Sequence, residues 1–95
     1  MSKIDRVKQY INEAINEIEP EIRKDSDKDR YGISKQILLD FKQNLEIMLQ
    51  EVESNTIPPR DARSQKMGYL IVDSWPYNYP LGETILKAEQ EYKEL

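Results

Sequence analysis

The amino-acid sequence predicts an all-α protein, a compact antiparallel four-helix bundle that forms a single domain over residues 1–95. Three observations support this prediction. Apolar residues recur at steps of three and four along most of the chain, which is the spacing that forms one face of an α-helix. The composition is rich in helix formers and contains only 3 glycines. A single short segment could form a strand, and no second segment offers it a pairing partner.

The first predicted helix covers residues 3–19. Residues 2–5 have the form of a capping box, which begins a helix. Pro20 lacks an amide hydrogen, so we expect the helix to end or kink near Ile18. Pro20 could instead begin a short extra turn that carries Ile22. The apolar face consists of Ile4, Val7, Ile11, Ala14, Ile15, Ile18 and Ile22.

The second predicted helix covers residues 32–53 and has the widest apolar stripe. An exposed polar connection at residues 23–31 precedes it, and the prolines at 58–59 cannot continue it. The first two helices are similar in length, so they are expected to pack antiparallel. The stripe consists of Ile33, Ile37, Leu38, Phe41, Leu45, Met48, Leu49 and Val52.

The third and fourth predicted helices cover residues 60–74 and 81–93. Within the third, residues 69–72 are also a plausible buried strand, but nothing is available to pair with it. Residues 75–80 contain two prolines and three aromatic residues, which predicts a stiff turn, with Trp75 in the core. The apolar positions expected to face the core are Ala62, Met67, Leu70, Ile71, Leu81, Ile85, Ala88, Tyr92 and Leu95.

The charge balance points to a protein partner. The formal net charge is −4, and an acidic surface is repelled by nucleic acid and by anionic membranes. The longest apolar run, residues 69–72, is far too short to span a bilayer. The N-terminal residues have no signal-peptide pattern, and the chain has no cysteine. These features predict a cytoplasmic protein that suits a basic partner and binds neither nucleic acid nor membrane.

The residue types that most enzymes use are missing. The chain has no histidine and no cysteine, which removes the usual general base, thiol nucleophile and zinc ligands. Residues 25–29 alternate acids like the start of a calcium loop. Arg30 and Gln36 then stand where such a loop needs glycine and glutamate. The sequence therefore predicts no enzyme, no cofactor and no metal site.

The first candidate binding feature is an acidic series on the first helix. Glu13, Glu17 and Glu21 are spaced by four residues, so they share one helix face. Like charges at this spacing destabilise a helix by about 0.2–0.5 kcal/mol a pair. No basic residue lies among them. This pattern indicates a surface that meets a cationic partner, and a solvated outer face is the alternative.

The second candidate feature is aromatic. Tyr77 and Tyr79 lie in the proline-bounded turn, and Asp73 precedes it. Tyrosine is enriched at interface hot spots because it buries a large area with few torsions to fix. We therefore expect Asp73, Tyr77 and Tyr79 to contact a partner, with packing inside the protein as the alternative. The basic residues Arg60, Arg63 and Lys66 are interpreted as ordinary exposed charges.

Residues 67–75, Met-Gly-Tyr-Leu-Ile-Val-Asp-Ser-Trp, and residues 80–83, Pro-Leu-Gly-Glu, resemble the C-terminal part of small acidic bacterial immunity proteins. This resemblance implies a cytoplasmic protein that neutralises a bacterial toxin, often a nuclease, by binding it. The colicin DNase inhibitors are also acidic four-helix proteins, with tyrosines in a Tyr-Tyr-Pro setting. Here the order is Tyr77-Asn78-Tyr79-Pro80, so their binding role does not transfer directly. The alternative function is a structural or regulatory helical protein that self-associates or pairs with another helix.

Overall fold

The computed structural model describes residues 2–26, 28, 31–59, 66–76 and 78–95. Within these ranges the chain forms helices and no strand. The helix α1 packs against α2 and α4, and α3 packs against α4. The predicted all-α four-helix architecture is confirmed. The helices are α1 (Lys3–Ile22), α2 (Lys35–Ser54), α3 (Lys66–Ser74) and α4 (Pro80–Lys93).

Serine side chains begin the two long helices. The Ser2 Oγ accepts a hydrogen bond from the Asp5 amide at 3.1 Å, and the Ser34 Oγ accepts one from the Ile37 amide at 3.3 Å. Each bond satisfies an amide that has no partner within the first turn. The start predicted at residue 32 is therefore three residues too early, because Ser34 is the cap. At the other end of α2, Asn55 adopts a left-handed conformation with φ 58°.

The helix α1 continues through Pro20, which corrects the end predicted near Ile18. Pro20 lies in the last turn and is exposed, so its missing amide removes only one hydrogen bond near the helix end. Tertiary contacts hold this turn in place. Ile22 packs against the core, and the Glu21 carboxylate accepts a hydrogen bond from a distant tyrosine. The predicted extra turn is thus part of α1.

One apolar core runs through all four helices, and the predicted stripes supply most of it. The prediction for α3 was only partly right: Met67 and Ile71 are buried, but Leu70 is exposed. Ile4, at the start of α1, is also exposed. The helical core residues are Val7, Ile11, Ala14, Ile18, Leu38, Phe41, Leu45, Met48, Val52, Met67, Ile71, Leu81, Ile85, Ala88 and Tyr92.

An aromatic cluster fills the end of the bundle beside the turn between α3 and α4. Trp75 is buried, as predicted. Its ring stacks on Phe41 with a centroid separation of 5.2 Å and lies 5.5 Å from the ring of Tyr79. Tyr79 in turn stacks on Tyr31 at 4.5 Å. The turn is therefore anchored to α2 and to the connection that precedes α2.

No helix in the described part of the chain is both long enough and apolar enough to cross a membrane.

Candidate functional site

The structure places Glu13 and Glu17, here called the acidic row, on the outer face of α1. Both side chains are exposed. The Glu17 Oε1 accepts a hydrogen bond from the Thr84 hydroxyl at 3.0 Å, so the acidic row lies along the junction with α4. The Gln9 amide approaches the Glu13 carboxylate at 3.4 Å. Among the described residues, no cation forms an ion pair with either carboxylate.

Lys87 of α4 lies on the same side of the molecule as the acidic row but does not neutralise it. Its ammonium group sits 5.6 Å from the centre of the Tyr10 ring on α1, and it forms an ion pair with Glu91 at 3.2 Å. Its charge is thus engaged by an aromatic face and by a neighbouring carboxylate. Lys87 therefore forms its ion pair with Glu91 and not with Glu13 or Glu17.

Glu21 differs from the other two acids of the predicted series. Its side chain is only 15% exposed. The Tyr79 hydroxyl donates to its Oε1 at 2.6 Å, and the Lys24 ammonium lies 2.7 Å from its Oε2. The spacing placed Glu21 in one series with Glu13 and Glu17, but of the three only Glu21 forms an ion pair in the described part of the protein. Lys24 lies outside the series, three residues further along the chain, and compensates Glu21 from there.

The structure also reassigns Tyr79. The sequence suggested a partner-binding aromatic, but Tyr79 is only 3% exposed and belongs to the core. Its ring is held between Tyr31 and Trp75, while its hydroxyl binds Glu21. Tyr79 is therefore packed inside the protein, which was the alternative interpretation for this residue. Tyr77 lies outside the described residues.

Most of the basic cluster formed by Arg60, Arg63 and Lys66 also lies outside the residues that the structure describes. Residues 60–65, which contain Arg60 and Arg63, are not among the described residues, and for Lys66 only the backbone is described. Asp73 is exposed on α3, and it lines a groove with Tyr69 and Val72.

The outward face of α3 is apolar, a feature that the sequence analysis missed. Tyr69 is 66% exposed and Val72 is 73% exposed, with Leu70 exposed beside them. The sequence did contain an indication of this exposed apolar face. Residues 69–72 form an unbroken apolar run, and a helix can turn only part of such a run toward its core. The remaining side chains must face outward.

A groove runs between α3 and α4, and we call it the α3–α4 groove. It consists of two adjoining cavities of about 460 and 290 Å³ that share Val72 and Leu86 in their walls. The larger cavity extends to Lys93, and the smaller one extends to Glu83. Asp73, Glu89 and Lys93 thus line the larger cavity and Glu83 lines the smaller one, beside the apolar side chains of the shared wall.

Glu89 is a buried carboxylate beneath this groove. It is 6% exposed, and its Oε1 accepts a hydrogen bond from the Gly68 amide at 2.9 Å. Burial raises the pKa of Glu89, while hydrogen bonds from the Gly68 and Met67 amides and the charge of Lys93 oppose that rise. These amides belong to the first turn of α3, so Glu89 acts as a helix cap supplied by α4.

Gly68 allows the Glu89 carboxylate to come within hydrogen-bond distance of the α3 backbone. A Cβ at position 68 would lie 2.5 Å from the Glu89 Oε1, closer than real contacts allow. Any side chain there would push the carboxylate away from the amide. The glycine inside a helix is thus explained by the close approach of Glu89.

A smaller cavity of about 170 Å³ lies on the other side of Glu89 and is also lined by Glu51 and Tyr92. The Tyr92 hydroxyl lies 3.3 Å from the Glu51 Oε1, within hydrogen-bond distance. The carboxylates of Glu51 and Glu89 thus each accept a hydrogen bond from another helix. In the ranges that the structure describes, no three acidic side chains are grouped to hold a metal ion.

Comparison of the sequence with protein-family models and with curated proteins gives no match.

Proposed function

We propose that this chain is a small acidic binding protein of the bacterial cytoplasm. In this proposal it is an immunity protein that neutralises a toxin by covering a basic surface. The observation that carries the proposal is the acidic row. Glu13 and Glu17 are exposed, spaced to repel each other, and unpaired with any cation among the described residues.

A basic toxin cleft explains why such a row would be retained. A nuclease binds phosphate through a concentration of lysine and arginine side chains. Carboxylates on a rigid helix can occupy that cleft, and their field speeds the encounter between the two proteins. The hydrogen bond from Thr84 restrains the Glu17 carboxylate, so less side-chain freedom is lost on binding. The proposal assigns the protein no catalysis and no cofactor.

The test identifies any toxin domain encoded beside this gene and measures its association kinetics with this protein. Replacing Glu13→Gln and Glu17→Gln together should lower the association rate by roughly tenfold at low ionic strength, because steering by charge is lost. The deficit should shrink as salt shortens the Debye length from about 10 Å at 0.1 M to about 3 Å at 1 M.

A matched control removes the same charge from another helix. Glu46 and Glu53 are exposed on α2, so Glu46→Gln with Glu53→Gln should leave the association rate near that of the unmodified protein. Equal losses in the two double variants would mean that only net charge matters. If the unmodified protein does not bind the neighbouring toxin domain at all, the toxin-neutralising function fails.

A second candidate function is favoured by a different observation. The apolar outward face of α3, with Tyr69 and Val72 exposed, is unlike the charged surface of a solitary helical domain. It supports a structural or regulatory protein that self-associates or receives another helix.

A further inference from the structure

We infer that the α3–α4 groove is a docking site for an amphipathic helix of another protein, one that carries lysine or arginine beside its apolar face. The carboxylates of Asp73 and Glu83 contact the cations of that helix, and Val72 and Leu86 contact its apolar side chains. This inference rests on the second candidate function, which it makes specific, and it is independent of the toxin proposal.

The outward flank of α3 is apolar and lacks a packing partner. In the part of the chain that the structure describes, α3 packs mainly against α4, and it buries Met67 and Ile71. Tyr69 and Val72 remain the two most exposed large apolar side chains among the described residues. Apolar faces of helices are stable when they are buried against another element. The flank is therefore suited to one more helix.

The groove is elongated along α4. Its two cavities adjoin at the wall that Val72 and Leu86 share. Along α4 the lining extends from Glu83 to Lys93, which corresponds to about 15 Å at 1.5 Å per residue. This is close to the length of three helical turns. An amphipathic helix can lay anchors three or four residues apart into a groove of this length.

The charges that line the groove favour a cationic helix. The charge of Lys93 favours the ionised form of the Glu89 carboxylate, so these two charges compensate each other. Asp73 and Glu83 are both exposed. Neither forms an ion pair with a cation in the described ranges. Two unpaired carboxylates beside an apolar wall attract a basic partner and repel an acidic one.

The same two carboxylates disfavour other occupants of the groove. A second copy of the chain has a formal net charge of −4 and would bring the same carboxylates toward the first copy. An anionic membrane surface is repelled by them as well. A basic amphipathic helix is attracted both by the carboxylates and by the apolar wall, so it is the occupant that fits this groove.

The test compares two synthetic helical peptides of about twelve residues, roughly 18 Å long at 1.5 Å per residue. Both peptides carry leucine at helical spacing. The remaining positions are lysine in one peptide and glutamate in the other. At about 0.15 M salt, fluorescence anisotropy should show that the lysine peptide binds at least tenfold more tightly. In NMR spectra of the protein, the amide signals of Tyr69, Val72 and Leu86 should shift as this peptide is added.

Variants of the protein separate the charge contact from the apolar contact. Asp73→Asn with Glu83→Gln should lower the affinity for the lysine peptide about tenfold, since two exposed ion contacts are together worth roughly that factor. Val72→Ser should lower it at least tenfold at any salt concentration, because the apolar anchor is lost. Glu46→Gln with Glu53→Gln is the matched control on α2. It removes the same charge and should leave the affinity unchanged. Circular dichroism checks that every variant is folded.

The inference is overturned if the lysine peptide does not bind, if the glutamate peptide binds as tightly, or if Val72→Ser leaves the affinity unchanged. Equal losses in the two charge variants would mean attraction by net charge alone and would overturn it as well. So would self-association of the unmodified protein that Val72→Ser abolishes in sedimentation equilibrium, because a second copy would then occupy the groove. No toxin is present in any arm, so these outcomes leave the toxin proposal untouched.

Discussion

At the scale of single residues, Glu89 shows how one side chain can set the position of a helix. Its carboxylate gives up hydration in order to accept hydrogen bonds from the first turn of α3. The charge suits the positive end of the helix dipole, but burial opposes ionisation and raises the pKa. The short helix α3 is thus capped by a residue from α4, and Gly68 keeps the two close enough for this contact.

The raised pKa of Glu89 predicts a definite pH dependence. The folded protein holds the proton of Glu89 more tightly than the unfolded chain does, so this residue favours folding most below the unfolded value near 4.5. That contribution is lost as the pH rises through the folded pKa. Compared with Glu89→Gln, which cannot ionise, the unmodified protein should therefore lose free energy of unfolding between these two pH values.

Urea denaturation of both proteins across pH 4 to 8 measures this difference, and the comparison cancels the titration of the other carboxylates. If the unmodified protein instead gained free energy of unfolding relative to Glu89→Gln as the pH rises, the folded pKa of Glu89 would be lowered.

At the scale of elements, α2 shows how far one helix can be understood from its own sequence. Its apolar stripe is buried at Leu38, Phe41 and Leu45, and its cap is a local serine. The partner of Phe41 is not local, because its ring stacks on Trp75 beyond α3. The stacking links α2 to the turn that joins α3 and α4.

Phe41→Ala should therefore destabilise the whole domain. Truncating a buried phenylalanine costs about 3–5 kcal/mol, the sum of lost burial and the cavity left behind. Total stabilities of small domains are about 5–15 kcal/mol, so the melting temperature should fall steeply. Leu39→Ala is the matched control on the same helix, because Leu39 is exposed, and it should change stability by no more than about 0.5 kcal/mol. Similar melting temperatures for the two variants would contradict the assigned core.

At the scale of the whole molecule, charge and apolar surface are separated. The net charge is −4, and the acidic row lies at the junction of α1 and α4. The exposed apolar face is on α3, across α4 from α1. The acidic row and the exposed apolar face of α3 are therefore separate surfaces of the molecule.

The acidic row should cost a little stability in the free protein. Removing the repulsion with Glu13→Gln and Glu17→Gln should raise the free energy of unfolding by a few tenths of a kcal/mol, about 0.2–0.5 for one such pair. The gain should be seen at low salt and vanish at high salt, because exposed charges are screened. Thermal unfolding at two ionic strengths measures it. A loss of stability at low salt would mean that the two carboxylates hold the fold together.

The sequence alone was sufficient to predict the four helices and most of the core, because helical periodicity depends on neighbours a few residues away. The sequence also predicted correctly that Trp75 is buried. It could not separate Glu21 from Glu13 and Glu17, because that difference depends on the hydroxyl of Tyr79, which is 58 residues away in the chain.

Tyr79 itself illustrates the same limit. A tyrosine in a proline-rich turn can face a partner or the core, and only the meeting of that turn with Tyr31 and Trp75 buries it. The outward face of α3 and its cap by Glu89 also arise from the packing of α3 on α4. Local spacing therefore determined which segments are helices. Contacts between residues far apart in the chain decided which side chains remain available to a partner.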